Sequence, residues 1–153
     1  MRNKALFPMA PLLLLYTAMK FMIVDDDQYI ISLVAAILKK NRVEVVSHSN
    51  VCDALRNLMD EEFDGLIIDF HLPGMDGLSA IPLAKDIRPG ITVGMMTGDT
   101  SPAAKTKAMT GGADFFIQKP ADFKNLWEMV TRGLRKEVQG VQGTATGGIQ
   151  DRR

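Results

Sequence analysis

Four short apolar runs in this chain each break off at polar groups that a core cannot use. Phe21-Met22-Ile23-Val24 stops at Asp25-Asp26, Leu66-Ile67-Ile68 at Asp69, Ile91–Met96 at Thr97, and Phe115-Phe116-Ile117 shortly before Lys119. Runs that are apolar at consecutive positions, rather than at alternate ones, read as parallel strands buried on both faces. In an open α/β sheet, ligand-binding groups collect outside the carboxyl ends of the strands. Residues distant in sequence would therefore meet at one edge. Carboxylates gathered there repel unless a cation joins them, and a lysine beside them suits an anion that arrives with the cation. The pattern predicts a site for Mg²⁺ (or Mn²⁺) and a phosphoryl group.

The segments between these runs have helical spacing. Ile30, Ile31, Val34, Ile37 and Leu38 mark a helix over Gln28–Lys40. Val43–Val46 reads as a β-branched strand. Ser49 or Asn50 caps a second helix with the stripe Val51, Ala54, Leu55, Leu58. A third helix carries Leu78, Ile81 and Leu83. Its Pro82 costs little in the first turn and kinks the helix deeper in. Ser101-Pro102 opens a fourth helix, which Gly111-Gly112 ends. Asp122 is expected to cap a fifth, carrying Phe123, Leu126, Met129, Val130 and Leu134. Strand and helix thus alternate throughout. That order predicts one α/β domain, a parallel sheet with helices on both faces and right-handed crossovers.

Charge and cysteine content exclude some functions. The 153 residues carry 18 basic and 18 acidic side chains, a formal net charge of zero, so nothing marks an electrostatic nucleic-acid binder. The single cysteine, Cys52, allows no internal disulfide, fits a reducing cytoplasm, and reads as a semi-buried helical thiol. At the amino terminus, Arg2 and Lys4 precede an apolar stretch with Leu12-Leu13-Leu14-Leu15, too short to span a bilayer. We expect Met19 to be the native start and residues 1–18 to be a mis-assigned extension. A cytosolic extension and an export signal are the alternatives. Residues 138–153, rich in Gly, Thr and Gln, are expected to form a disordered tail.

Asp69-Phe70-His71-Leu72-Pro73-Gly74-Met75-Asp76-Gly77 is the most specific string in the chain. With Asp25-Asp26, Thr97-Gly98 and Lys119-Pro120 it resembles the receiver domain of two-component response regulators, over residues 19–137. The resemblance implies a flavodoxin-like (βα)5 doubly wound sheet with strand order 2-1-3-4-5. It implies that Asp69 is the nucleophile, phosphorylated by a sensor histidine kinase or histidine phosphotransfer protein. Asp25, Asp26, Asp69 and the backbone carbonyl of His71 would hold the metal, with Asp26 the more direct ligand. Lys119, the Thr97 hydroxyl and the Gly98 N–H would bind the phosphoryl oxygens. Thr97 and Phe116 would form the switch, and the fourth helix, fifth strand and fifth helix the responding surface. The Lys119-Pro120 bond would be cis.

Each residue also has a plainer reading. Asp27 suits a helix cap and Asp76 a loop structure. His71 reads equally as an exposed loop residue or, like Asp99, as a neighbour that tunes the lifetime of the phosphorylated form. Trp127 lies near the responding surface or packs on the sheet edge. His48 is expected to be exposed, and Met22, Met95 and Met96 to fill the core. Nothing after Lys136 reads as a helix-turn-helix. The reading is therefore a stand-alone cytoplasmic receiver, monomer or weak dimer. It would bind a downstream protein or relay the phosphoryl group, with no membrane or nucleic-acid contact. It would catalyse only its own phosphorylation and dephosphorylation. The rivals are a haloacid-dehalogenase-type phosphatase using Asp25 and Asp27, and a degenerate receiver that only binds partners.

Overall fold

The computed structural model describes residues 18–142, with side chains through Arg135. The apolar stretch of the expected extension and residues 143–153 of the expected tail lie outside these. Five strands, β1 (Lys20–Val24), β2 (Glu44–His48), β3 (Gly65–Asp69), β4 (Thr92–Thr97) and β5 (Phe115–Gln118), form one parallel sheet in the order β2-β1-β3-β4-β5. Five α-helices alternate with them: α1 (Gln28–Lys40), α2 (Val51–Asp60), α3 (Gly77–Ile87), α4 (Pro102–Thr110) and α5 (Leu126–Gln142). This is the parallel α/β sheet expected from the strand–helix alternation, in the flavodoxin-like (βα)5 order that the receiver resemblance implies.

The consecutive apolar residues of each strand divide between two cores because successive side chains point to opposite faces. Met22, Leu66, Ile68, Val93 and Met95 pack under α2, α3 and α4. Phe21, Ile23, Ile67, Met96, Phe115 and Ile117 pack under α1 and α5. Phe115 seats α5 on the sheet. A Cβ at Gly94 of β4 would lie 2.3 Å from its ring, and one at Gly133 of α5 would lie 2.6 Å from it. The ring fills a slot that only glycine leaves open on both sides.

Several local expectations shift. The second strand begins at Glu44 rather than Val43, because the Val43 N–H bonds back to Leu38 O in the turn that carries Arg42 at φ 62°. Asn50, not Ser49, caps α2, accepting from the Asp53 N–H at 2.9 Å. Asp122 does not cap the last helix. It lies in a 3-10 turn over Ala121–Asn125 and accepts from the Gln118 N–H at 2.8 Å, so α5 starts only at Leu126. Pro82 is the sixth residue of α3, past the first turn, and takes away the N–H that would have bonded Leu78 O. Cys52 is exposed on α2 rather than semi-buried. His48 is half-buried and bonds Asn57 Oδ1 at 3.0 Å, so it is not a free strand end. Helix α5 continues to Gln142, into the segment expected to begin the tail.

Candidate functional site

Strand register places the polar residues in rows. Val24 pairs with Ile68, so the next residues, Asp25 and Asp69, stand level at the carboxyl edge. Asp69 pairs with Met96, which sets Thr97 one step above it on β4. Thr97 pairs with Gln118, and Lys119 follows directly on β5. Four strands therefore deliver their terminal polar groups to one spot.

Asp25 is fully buried and Asp69 is 6% exposed, whereas Asp26 faces solvent. One carboxylate oxygen from each lies within 4.8 Å of the others, a metal-competent set among the described residues. Lys119 Nζ reaches Asp25 Oδ2 at 2.5 Å and Asp69 Oδ1 at 3.3 Å. Three carboxylates against one ammonium leave two negative charges uncompensated, which is the charge of one Mg²⁺. Hard carboxylate oxygens, one of them solvent-facing, suit a cation that keeps part of its water shell. The residues present fit that metal. Burial pushes the Asp69 carboxyl pKa up. Lys119 opposes this, Asp25 reinforces it, and the His71 backbone N–H contributes a smaller lowering.

The surroundings hold these groups in place. Asp27 caps α1, its Oδ1 accepting from the Tyr29 N–H at 2.9 Å. Its own N–H donates to Asp25 Oδ1 at 2.9 Å, which fixes that buried carboxylate. Asp27 thus has the capping role read from the sequence. Asp76 caps α3 by accepting from the Ser79 N–H at 2.7 Å. A Cβ on the next residue, Gly77, would sit 2.0 Å from Asp69 O, so only glycine lets the start of α3 close over β3. The Lys119-Pro120 bond is cis, and the Lys119 N–H donates to Thr97 O at 2.8 Å.

Thr97 is fully buried, and Oγ1 accepts from the Asp99 N–H at 3.1 Å. Gly98 is exposed, with open space where a Cβ would project. Phe116 is buried against the core beneath α4. His71 is exposed, its ring tilted against Phe70 with centroids 4.9 Å apart. Trp127 is partly buried against the core beneath α1 and α5. Asp99 and Gln118 have roles here that composition does not announce. Asp99 Oδ1 takes the Ser101 N–H at 2.8 Å, which holds its pKa below the usual carboxylate range, and Gln118 Nε2 donates to Asp99 O at 3.2 Å. The signal available in the sequence was position alone, two residues after Thr97 and one before Lys119. A cavity of about 740 Å³ opens at the amino ends of the strands beside Lys20, Phe63 and Ile91, at the opposite end of the sheet from these carboxylates.

A family model described as the response regulator receiver domain matches residues 21–131. The chain is 33% identical over 116 residues to the response regulator protein PilR of Pseudomonas aeruginosa, an alignment covering 76% of this chain and 26% of PilR. Curated relatives are longer, and the chain spans between 16% and 28% of three of them. A CheY-like receiver domain protein of Methanospirillum hungatei matches with a TM-score of 0.73 at 28% identity, covering 81% of this chain and 99% of that one. A response regulator of Burkholderia pseudomallei, whose crystal structure holds a phosphorylated aspartic acid, a calcium ion and citrate, matches with a TM-score of 0.68 at 25% identity. That match covers 84% of this chain and 76% of the other. No helix among the described residues is long and apolar enough to cross a membrane.

Proposed function

Because the chain belongs to the response regulator receiver family of two-component signalling, we propose that Asp69 is its phosphoacceptor and that the domain switches partners on modification. The observation that carries this is the meeting of Asp25, Asp26 and Asp69 within 4.8 Å, with Lys119 bridging two of them. The relative from Burkholderia pseudomallei, which carries a phosphorylated aspartate, supports the same reading.

The donor would be a phosphohistidine on a histidine kinase or histidine phosphotransfer protein. An Asp69 carboxylate oxygen attacks phosphorus as the P–N bond breaks. The electron pair of that bond stays on the imidazole nitrogen, which takes up a proton. The product is an acyl phosphate on Asp69 and a neutral histidine. Asp25, Asp26, Asp69 and the His71 carbonyl would hold Mg²⁺, which when bound would supply charge neutralisation for the transferring oxygens. Asp27 and the start of α1 hold the Asp25 carboxylate in position. Lys119 pairs with a phosphoryl oxygen as a compact charge. Thr97 Oγ1 and the Gly98 N–H bond the others. Water enters past the exposed His71 and Asp99, so these two set how long the acyl phosphate lasts.

The readout follows as a population shift biased by one anion. Thr97 turns toward the phosphoryl group, Phe116 adjusts beside it, and the α4–β5–α5 surface changes its fit to a protein target. The molecule acts once per modification, as a cytoplasmic switch rather than a turnover enzyme. The test is mass spectrometry after incubation with Mg²⁺ and a small acyl phosphate. One labile phosphoryl addition is expected, absent from Asp69→Ala. Steady release of phosphate from an ester with no labelled Asp69 would instead favour the phosphatase alternative.

A further inference from the structure

The switch proposed above needs the Thr97 hydroxyl to move, yet in this structure that hydroxyl is held. Oγ1 accepts from the Asp99 N–H at 3.1 Å. Asp99 is exposed, so packing does not fix it. Its position rests on three hydrogen bonds to three different elements. The N–H goes to Thr97 at the end of β4, the carboxylate takes the Ser101 N–H at the start of α4, and the carbonyl takes Gln118 Nε2 from β5. The first two bonds are local, spanning two residues each. The Gln118 bond alone reaches across from another strand, 19 residues away. Gln118 is itself anchored, since its N–H donates to Asp122 Oδ2 at 2.8 Å and the next N–H, from Lys119, donates to Thr97 O at 2.8 Å.

We propose that Gln118 is a positioning residue for the switch: its side-chain amide straps the loop after Thr97 to β5 and so holds the Thr97 hydroxyl away from the phosphoryl site. A hydroxyl that swings toward Asp69 leaves the Asp99 N–H behind, and that N–H is freest to re-pair when its loop can shift. The strap resists the shift. Removing it lowers the cost of the modified state without touching any group that contacts the phosphoryl oxygens. This inference rests on the phosphoacceptor reading for its direction, but the strap itself is testable without it.

Two measurements separate the two claims. In Gln118→Met, which keeps length and loses the donor, the Asp99 amide should exchange with solvent roughly two- to fivefold faster by NMR, the size expected for one exposed hydrogen bond. Gln118→Glu, of the same shape but with no donor, should do the same, while amides in α2 and α3 keep their wild-type rates. Unchanged Asp99 exchange in both variants overturns the strap, whether or not Asp69 is ever phosphorylated. With acyl phosphate and Mg²⁺, Gln118→Met should reach half-maximal phosphorylation at a roughly two- to fivefold lower donor concentration. An unchanged or raised value, with wild-type protein phosphorylated normally, overturns the proposed control of Thr97. If wild-type protein takes up no phosphoryl group, the phosphoacceptor reading falls and the exchange experiment still decides the strap.

Discussion

Lys119→Met isolates the electrostatic core of the site. In the wild type the ammonium sits 2.5 Å from Asp25 and 3.3 Å from Asp69, and all three side chains are at least 85% buried. Removing it leaves two buried carboxylates facing each other. With their ligand oxygens within 4.8 Å and an effective dielectric constant of about 20, two unit charges repel by at least about 3.5 kcal/mol, a repulsion the ammonium no longer offsets. Breaking a buried pair by deleting one partner costs about 3–5 kcal/mol in other proteins, so the two routes agree. We expect urea unfolding at pH 7.5 without divalent cation to show a loss of about 3–4 kcal/mol with an unchanged m value.

The loss should depend on pH in a defined direction. Burial raises the Asp69 pKa in the folded state, and Lys119 is the largest opposing influence. Without Lys119 that carboxyl titrates higher still. A carboxyl whose folded pKa exceeds its unfolded value, about 4, favours folding most below that value. The advantage is lost as pH rises through the folded pKa. The deficit of Lys119→Met should therefore be small near pH 4 and grow toward neutrality. Mg²⁺ at a hundredfold excess over its dissociation constant should return about 2.7 kcal/mol to the variant. A variant as stable as wild type at pH 7.5, or one with the same deficit at both ends of the range, would refute the reasoning.

Three further outcomes follow from the geometry. Asp26→Ala should lose most of the Mg²⁺-dependent rise in melting temperature while changing the cation-free stability by less than about 0.5 kcal/mol, because Asp26 is exposed. Retention of the full Mg²⁺ effect in that variant would remove Asp26 from the metal set. Asp27→Ala should cost about 1 kcal/mol through the lost cap of α1 and still accept a phosphoryl group, as measured by denaturation and intact mass. Gly133→Ala pushes a methyl to within 2.6 Å of the Phe115 ring and should cost about 1–3 kcal/mol by overpacking, so a wild-type melting curve would show that α5 shifts freely.

The sheet edge is legible in the sequence because strand ends are. Burial on both faces requires an apolar side chain at each strand position, so the first charged residue marks where the core stops, as at Asp25 and Asp69. The strand order implied by the receiver resemblance sets these ends side by side, and the observed register aligns Asp69, Thr97 and Lys119 in rows. Long-range side-chain bonds leave no such mark. Asp122 looks like a helix cap from its neighbours, yet a backbone N–H of β5 claims it. Gln118 looks like a solvent-facing strand residue, yet its amide reaches the loop after β4. Val43 has strand propensity, but the tight turn at Arg42 commits its N–H to the end of α1. In each case local preference competes with a partner supplied by another element.

The arrangement also explains why a fold would keep so costly an edge. Asp25 is buried where hydration cannot help it, and Asp69 nearly so. Satisfying both with apolar replacements would stabilise the domain, as replacement of buried ion pairs often does. The retained charges instead make the energy of the edge depend on what binds there. Under the proposed function, a bound cation would lower it, and a phosphoryl group on Asp69 would draw Lys119 from two carboxylates toward phosphoryl oxygens. The hydroxyl of Thr97 is the next group in the row, and its tie to Asp99 runs directly to the start of α4 and, through Gln118, back to β5. In the proposed switch, a change of charge at Asp69 would therefore reach α4 and β5 through one hydroxyl and one short loop.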